Sequence, residues 1–202
     1  MSKVIATNYL GKVWIFAKSD LKARYSGSFL GVFWVFLKPF CIFLVLSLVF
    51  SNVFGKGANY SLGLLVAIIL WTFFSESTMQ GMFSLFYKGN ILKKIYLSKW
   101  IAVVSSLVHA GLAFVFNLVI LAIFLYLFYH VPFTFAGWGL FIFYIILMYA
   151  FALSISFVIS VLFVYLHDIS QIWEVFLQML FFATPIIYPA SMVPEQYKIF
   201  FK

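Results

Sequence analysis

Apolar stretches longer than a bilayer is thick constrain this chain more than any other feature. They fall at roughly 29–54, 62–86, 101–129 and 138–166, and a fifth, roughly 169–188, is interrupted near its end by Pro185 and Pro189. About 20 apolar residues carry a helix across the hydrocarbon core. In that medium every backbone N–H and C=O must be satisfied within the segment, so stretches of this kind fold as helices. Of the 202 residues, 66% are hydrophobic and only 9% charged, against about 25% charged in soluble domains. The expected fold is therefore an all-α polytopic membrane protein. A cytoplasmic amphipathic segment (1–25) precedes one transmembrane domain (26–202) with five transmembrane or re-entrant segments.

Orientation follows from the cations. Residues 1–25 hold Lys3, Lys12, Lys18, Lys22 and Arg24, and the connection YKGNILKKIYLSK (87–99) holds Lys88, Lys93, Lys94 and Lys99. The opposite side holds only Lys56, Lys198 and Lys202. The positive-inside rule places the N-terminus and the 87–99 connection in the cytoplasm, so the net charge of +8 marks cytoplasmic loops and anionic lipid rather than nucleic acid. The first 25 residues lack the apolar core and small-residue site of a cleavable signal. Leu10, Val13, Trp14, Ala17 and Leu21 recur at helical spacing, which suits a helix at a membrane surface; a solvated basic tail is the other reading. Five spans leave the C-terminus external, and the sequence stops at KIFFK, where a sixth span is expected to follow.

No enzyme site can be assembled. The nucleotide-binding pattern G-x-x-x-x-G-K-[ST] is absent, so any ATP must be hydrolysed by another chain. His109, His130 and His167 are scattered and offer no metal-ligand spacing, and the single Cys41 excludes a cysteine-pair site. His167 beside Asp168 reads as a helix cap or elbow, since adjacent helical residues point apart.

The informative polar residues lie inside the spans. FFSESTMQG (73–81) carries Glu76, with no basic residue in its own span to pair with it. Gln171, Glu174 and Gln178 share a helix face in the fifth segment. A charge at the bilayer centre costs about 2.5–3.5 kcal/mol on insertion scales, so such groups face a bundle interior, a partner or a water-filled path. A solute path or gate and a buried hydrogen-bond network are both open for this face. In SGSFLGVFWVFLKPF (26–40), Lys38 and Pro39 sit within an apolar run. Lys38 either snorkels to the cytoplasmic surface or faces the protein interior; Pro39 kinks the helix, and Gly27 and Gly31 form a GxxxG spacing that permits helix contact. The 87–99 connection reads as a short amphipathic helix with Ile91, Leu92, Ile95 and Tyr96 on one stripe. It can dock into a groove on a soluble partner or lie on the lipid surface.

DLKARYSGSFLGVFWVFLKPF (20–40) closely resembles the first-span region of ABC-2 type permeases that export polysaccharides, a family that includes O-antigen, capsule and teichoic-acid exporters. The carrying residues are Arg24, Tyr25, Ser26 to Ser28, Leu30, Gly31, Trp34, Lys38 and Pro39. LWTFFSESTMQG (70–81) with the following KGNILKKIYLSKW, and HDISQIWEVFLQMLFFATPIIYPASMVP (167–194), resemble further blocks of that family in the same order. His167-Asp168 stands where the family more often has Arg-Asp, and Glu76 where a neutral polar residue is more usual.

The resemblance implies a homodimer of permease chains in a bacterial inner membrane. Two copies of a separate ATPase would bind ATP and Mg, and this chain would hold no cofactor. The cargo would be a lipid-linked glycan moved outward. By position, Lys88, Ile91, Lys93, Lys94, Ile95 and Tyr96 would contact the ATPase. Gln171, Glu174, Gln178 and Glu76 would line or gate the path, with Pro185 in an external gate. Arg24, Lys22 and Lys18 would meet either the carrier's pyrophosphate or ordinary lipid headgroups. An ABC-2 permease for a drug or lipid is the nearest alternative. A membrane-embedded transferase would need a clustered acid/base or acidic metal motif, and none is apparent.

Overall fold

A computed structural model of the chain describes residues 9–25, 27–54, 58–94, 97–126 and 135–188. The described residues form six α-helices and contain no strand: α1 (Tyr9–Tyr25), α2 (Trp34–Phe54), α3 (Ala58–Lys94), α4 (Trp100–Phe124), α5 (Phe135–Tyr165) and α6 (Ile169–Ala183). Three of them contain stretches long and apolar enough to cross a membrane: Leu62–Gly89, Trp100–Ile123 and Gly137–Tyr165. Leu37–Leu46 and Ile169–Ala183 are shorter apolar helical stretches.

The centre of the bundle is α3, a 37-residue helix about 55 Å long at 1.5 Å per residue. It packs most extensively on α5 and α4 and also meets α2 and α6. Leu64, Leu65, Ile68, Ile69 and Phe73 of α3 join Phe43 of α2 and Phe114 and Leu121 of α4 in the largest core cluster. Phe73 stacks on Phe114, with ring centroids 4.4 Å apart, and on Tyr149 of α5 at 6.1 Å. Further along, Met82 packs with Ile159 and Phe163. The outer face of α5 leaves Leu140, Ile142, Phe143, Ile146 and Leu147 exposed. A helix that is apolar all round buries one face in protein and gives the other to lipid.

Small residues set the closest approach between helices. A Cβ added to Gly81 of α3 would come within 3 Å of both Oγ and Cβ of Ser156 on α5, and 3.3 Å from Leu107 Cδ1. Without a large hydrophobic driving force between helices in lipid, such close backbone contact is a main source of association.

Several expectations change. The pair Gly27 and Gly31 makes no helix contact: both have positive φ, +85° and +51°, in the turn between α1 and α2, and an added Cβ would meet nothing. Glycine is used there for the left-handed backbone, which other residues rarely adopt. A 3₁₀ turn, Gly31–Phe33, then leads into α2, so helix begins later than the apolar run. Pro39 lies within α2, buried. The basic segment expected as a separate helix is instead the uninterrupted end of α3 as far as Lys94. The fifth apolar segment forms only 15 helical residues, about 22 Å, against roughly 30 Å of hydrocarbon. Its helix stops because Pro185 pushes the preceding residue out of the helical region: Thr184 has φ −84° and ψ 141°.

The expected apolar face of the N-terminal helix is divided. Val13 and Ala17 are buried, whereas Leu10 and Trp14 are exposed. α1 packs chiefly on α4, and Tyr9 lies 5.9 Å from Trp100 between ring centroids.

Candidate functional site

Halfway along α3, 18 residues from either end, sits Glu76, the carboxylate whose partner is not visible in its own span. Lys38 of α2 donates to Glu76 Oε1 at 2.9 Å, and Arg24 at the end of α1 donates to Oε2 at 3.3 Å. Lys38 therefore reaches across to a carboxylate of α3. The pairing answers the cost of a charge at membrane depth, since each charged group meets an opposite one.

These three residues lie on the wall of a cavity of about 550 Å³. α3 supplies Trp71, Thr72, Ser75 and Gln80, and α6 supplies Glu174, Gln178, Phe181 and Phe182. The wall thus combines two cations and two carboxylates with the aromatic rings of Trp71, Phe181 and Phe182. The side chain of Glu76 is 22% exposed, Arg24 38% and Lys38 56%, so the cations remain accessible while paired. Trp173 Nε1 donates to Thr78 Oγ1 at 3.2 Å, which ties α6 to α3 beside the cavity.

A second cavity of about 630 Å³ lies between α1, α3 and α4 and shares Arg24, Met79 and Gln80 with the first. On its wall Lys88, buried, donates to Asp20 Oδ2 and, at 2.9 Å each, to Ser105 and Ser106. His109 Nδ1 and Gln80 Nε2 are buried without a hydrogen-bond partner among the described residues. At the other end of the bundle, Tyr60 donates to the Ile187 carbonyl at 2.7 Å. Burial raises its phenol above the usual value.

The site residues expected from sequence fall into three groups. Glu76, Glu174, Gln178 and Arg24 come together on one cavity. Gln171 is exposed on α6 outside that cavity, Pro185 is half-buried in the turn after α6, and Lys18 and Lys22 are exposed on α1 away from both cavities. Of the docking residues, Ile91, Lys93 and Lys94 are exposed at the end of α3, whereas Lys88 turns inward and is withdrawn from that surface by its bonds to Asp20 and the two serines. Ile95 and Tyr96 lie outside the described residues. The sequence reading missed Asp20, Ser105, Ser106 and Trp71, and gave Lys38 no site role. One signal was available: the chain has only five acidic residues, and an acid in so apolar a chain calls for a cation. Among the described residues no group of three or more His, Cys, Asp or Glu is placed to hold a metal ion.

The chain's relatives agree with a membrane transport architecture. Two O-antigen export system permease proteins RfbA of Klebsiella pneumoniae are 25% and 26% identical to it over 184 residues, which is 91% of this chain and 71% of theirs. The protein of the same name from Myxococcus xanthus is 27% identical over 194 residues, 93% of this chain and 72% of the relative. The family described as ABC-2 type transporter matches residues 11–202, and the chain belongs to that family.

Proposed function

We propose that the chain is the transmembrane permease subunit of an ATP-driven ABC exporter that moves lipid-linked polysaccharide outward across the bacterial cytoplasmic membrane. The observation that carries this reading is the cavity at mid-helix depth, where paired charges from α1, α2 and α3 face the aromatic and polar residues of α6. Its cations suit an anionic carrier group, and its aromatic rings suit the apolar faces of sugars or a lipid chain. The names of the O-antigen export relatives support the same cargo class.

ATP and Mg belong to a separate ATPase chain. Its docking surface is the exposed end of α3, with Ile91, Lys93 and Lys94, on the cytoplasmic side together with the N-terminus. A second copy of the chain completes the path, because Glu174 and Gln178 stay exposed on α6. Co-expression with the ATPase encoded beside it tests the reading: the two should co-purify, and lipid-linked glycan should accumulate inside cells when this chain is deleted. Purification without any ATPase, or unchanged glycan export, overturns it. A smaller cargo is the second reading, favoured by a cavity volume in the range of small-molecule pockets; drug or lipid efflux with normal glycan export would select it.

A further inference from the structure

Glu76 presents one oxygen to each of two cations that come from different helices, Lys38 from α2 and Arg24 from α1. Paired anionic oxygens are also what a phosphate group offers, with more charge. We infer that Glu76 is an internal stand-in for an anionic headgroup: it holds the Arg24–Lys38 pair when the cavity is empty and exchanges for the diphosphate of an amphiphile. The identity of that amphiphile rests on the exporter reading above; the exchange itself rests on the geometry.

Three features of the cavity carry the exchange. Gln80 lies four residues beyond Glu76, on the same face of α3, and its buried Nε2 has no hydrogen-bond partner among the described residues. It is the donor that receives the displaced carboxylate. Trp71, Phe181 and Phe182 line the same cavity and cover the apolar part of the ligand. Glu174, which forms no ion pair among the described residues, brings the charge of the wall to zero against Arg24 and Lys38 while Glu76 is in place.

Charge selectivity follows from this arrangement. A headgroup with one negative charge gains nothing by replacing a carboxylate of the same charge, so bulk anionic phospholipid leaves the pair closed. A diphosphate brings more charge than it displaces, and a ligand shifts such an equilibrium only through that difference.

The test uses the full chain in phosphatidylcholine nanodiscs, titrated with farnesyl diphosphate and read by tryptophan fluorescence, with inorganic diphosphate and added phosphatidylglycerol as comparisons. Wild type should bind farnesyl diphosphate and be little affected by phosphatidylglycerol. Removing a like charge at contact distance should make Glu76→Gln bind at least about fivefold tighter, and phosphatidylglycerol should now compete. Equal or weaker binding by Glu76→Gln overturns the inference, as does strong competition by phosphatidylglycerol in wild type. Inorganic diphosphate binding as tightly as the farnesyl ester removes the amphiphile from it. If Glu76→Gln does not fold, Gln80→Met decides. It keeps both cations and Glu76 but removes the receiving donor, and should weaken binding about threefold or more; unchanged binding refutes the exchange. Loss of ATPase co-purification would sink the exporter reading alone, because none of these titrations contains the ATPase.

Discussion

Gly81→Ala is the sharpest test of how the bundle is held. On an exposed helix face this substitution stabilises by about 1 kcal/mol, because alanine is the better helix former. Here the new methyl would lie within 3 Å of Ser156 Oγ and Cβ, whereas ordinary carbon contacts lie near 3.5–4.0 Å. The Cβ belongs to a rigid stem, so rotating the serine hydroxyl away does not relieve the clash. α3 and α5 must separate by about 1 Å, and overpacking of this kind costs about 1–3 kcal/mol. The net effect is a loss of up to about 2 kcal/mol, or a fall in unfolding midpoint of up to roughly 4–8 °C for a chain of this size. Thermal unfolding in detergent, followed by tryptophan fluorescence, measures it. Ser156→Gly removes both clashing atoms, so the double variant should recover to within about 0.5 kcal/mol of the sum expected without the clash, with a coupling energy of about 1–3 kcal/mol. A single variant more stable than wild type, or a double variant showing no recovery, would refute the close crossing.

Other perturbations address the remaining contacts. Lys88→Met leaves Asp20 without its cation and takes a donor from Ser105 and Ser106; removing one partner of a buried pair costs about 3–5 kcal/mol, and the 29% exposure of Asp20 places the loss at about 3 kcal/mol, measured as the same unfolding midpoint. Lys93→Glu with Lys94→Glu should weaken ATPase co-purification while membrane insertion is unchanged, because both side chains are exposed; unaltered co-purification removes the docking assignment. Arg24→Ala should lower glycan export more than protein level, since Lys38 still neutralises Glu76; equal losses would favour a role in folding. Tyr60→Phe deletes the bond to the Ile187 carbonyl at a cost of about 0.5–1.5 kcal/mol, and hydrogen–deuterium exchange should rise around residues 184–188.

The helices were readable in sequence because hydropathy acts locally: the run at 62–86 lies inside α3, and the run at 138–166 overruns the end of α5 by one residue. The polar face of the fifth segment was readable for the same reason, and it brings Glu174 and Gln178 to the cavity. Gln171, one turn earlier on that face, lies off the wall, since a shared face does not fix where a cavity ends. The ion pairs were beyond local pattern, with Glu76 38 residues from Lys38 and 52 from Arg24. The basic stripe at the end of α3 misled at Lys88 because nothing within a helical turn announces Asp20, 68 residues away. Gly27 and Gly31 had the spacing of a helix contact but the backbone of a turn, which residue spacing alone does not distinguish.

A continuous helix transmits force differently from a broken one. α3 contains no proline and no π bulge along its 37 residues, two of the causes of a sharp kink, and of its glycines Gly81 is held against α5. It runs as one continuous helix from Ala58 to Lys94. Lys94 and Glu76 lie about 27 Å apart on it at 1.5 Å per residue, so a push or twist at Lys94 would be carried to Glu76 through unbroken helix. The carboxylate would slide or turn against Lys38 and Arg24, which ride on other helices, so a mechanical stroke at one end becomes an electrical event at the midpoint.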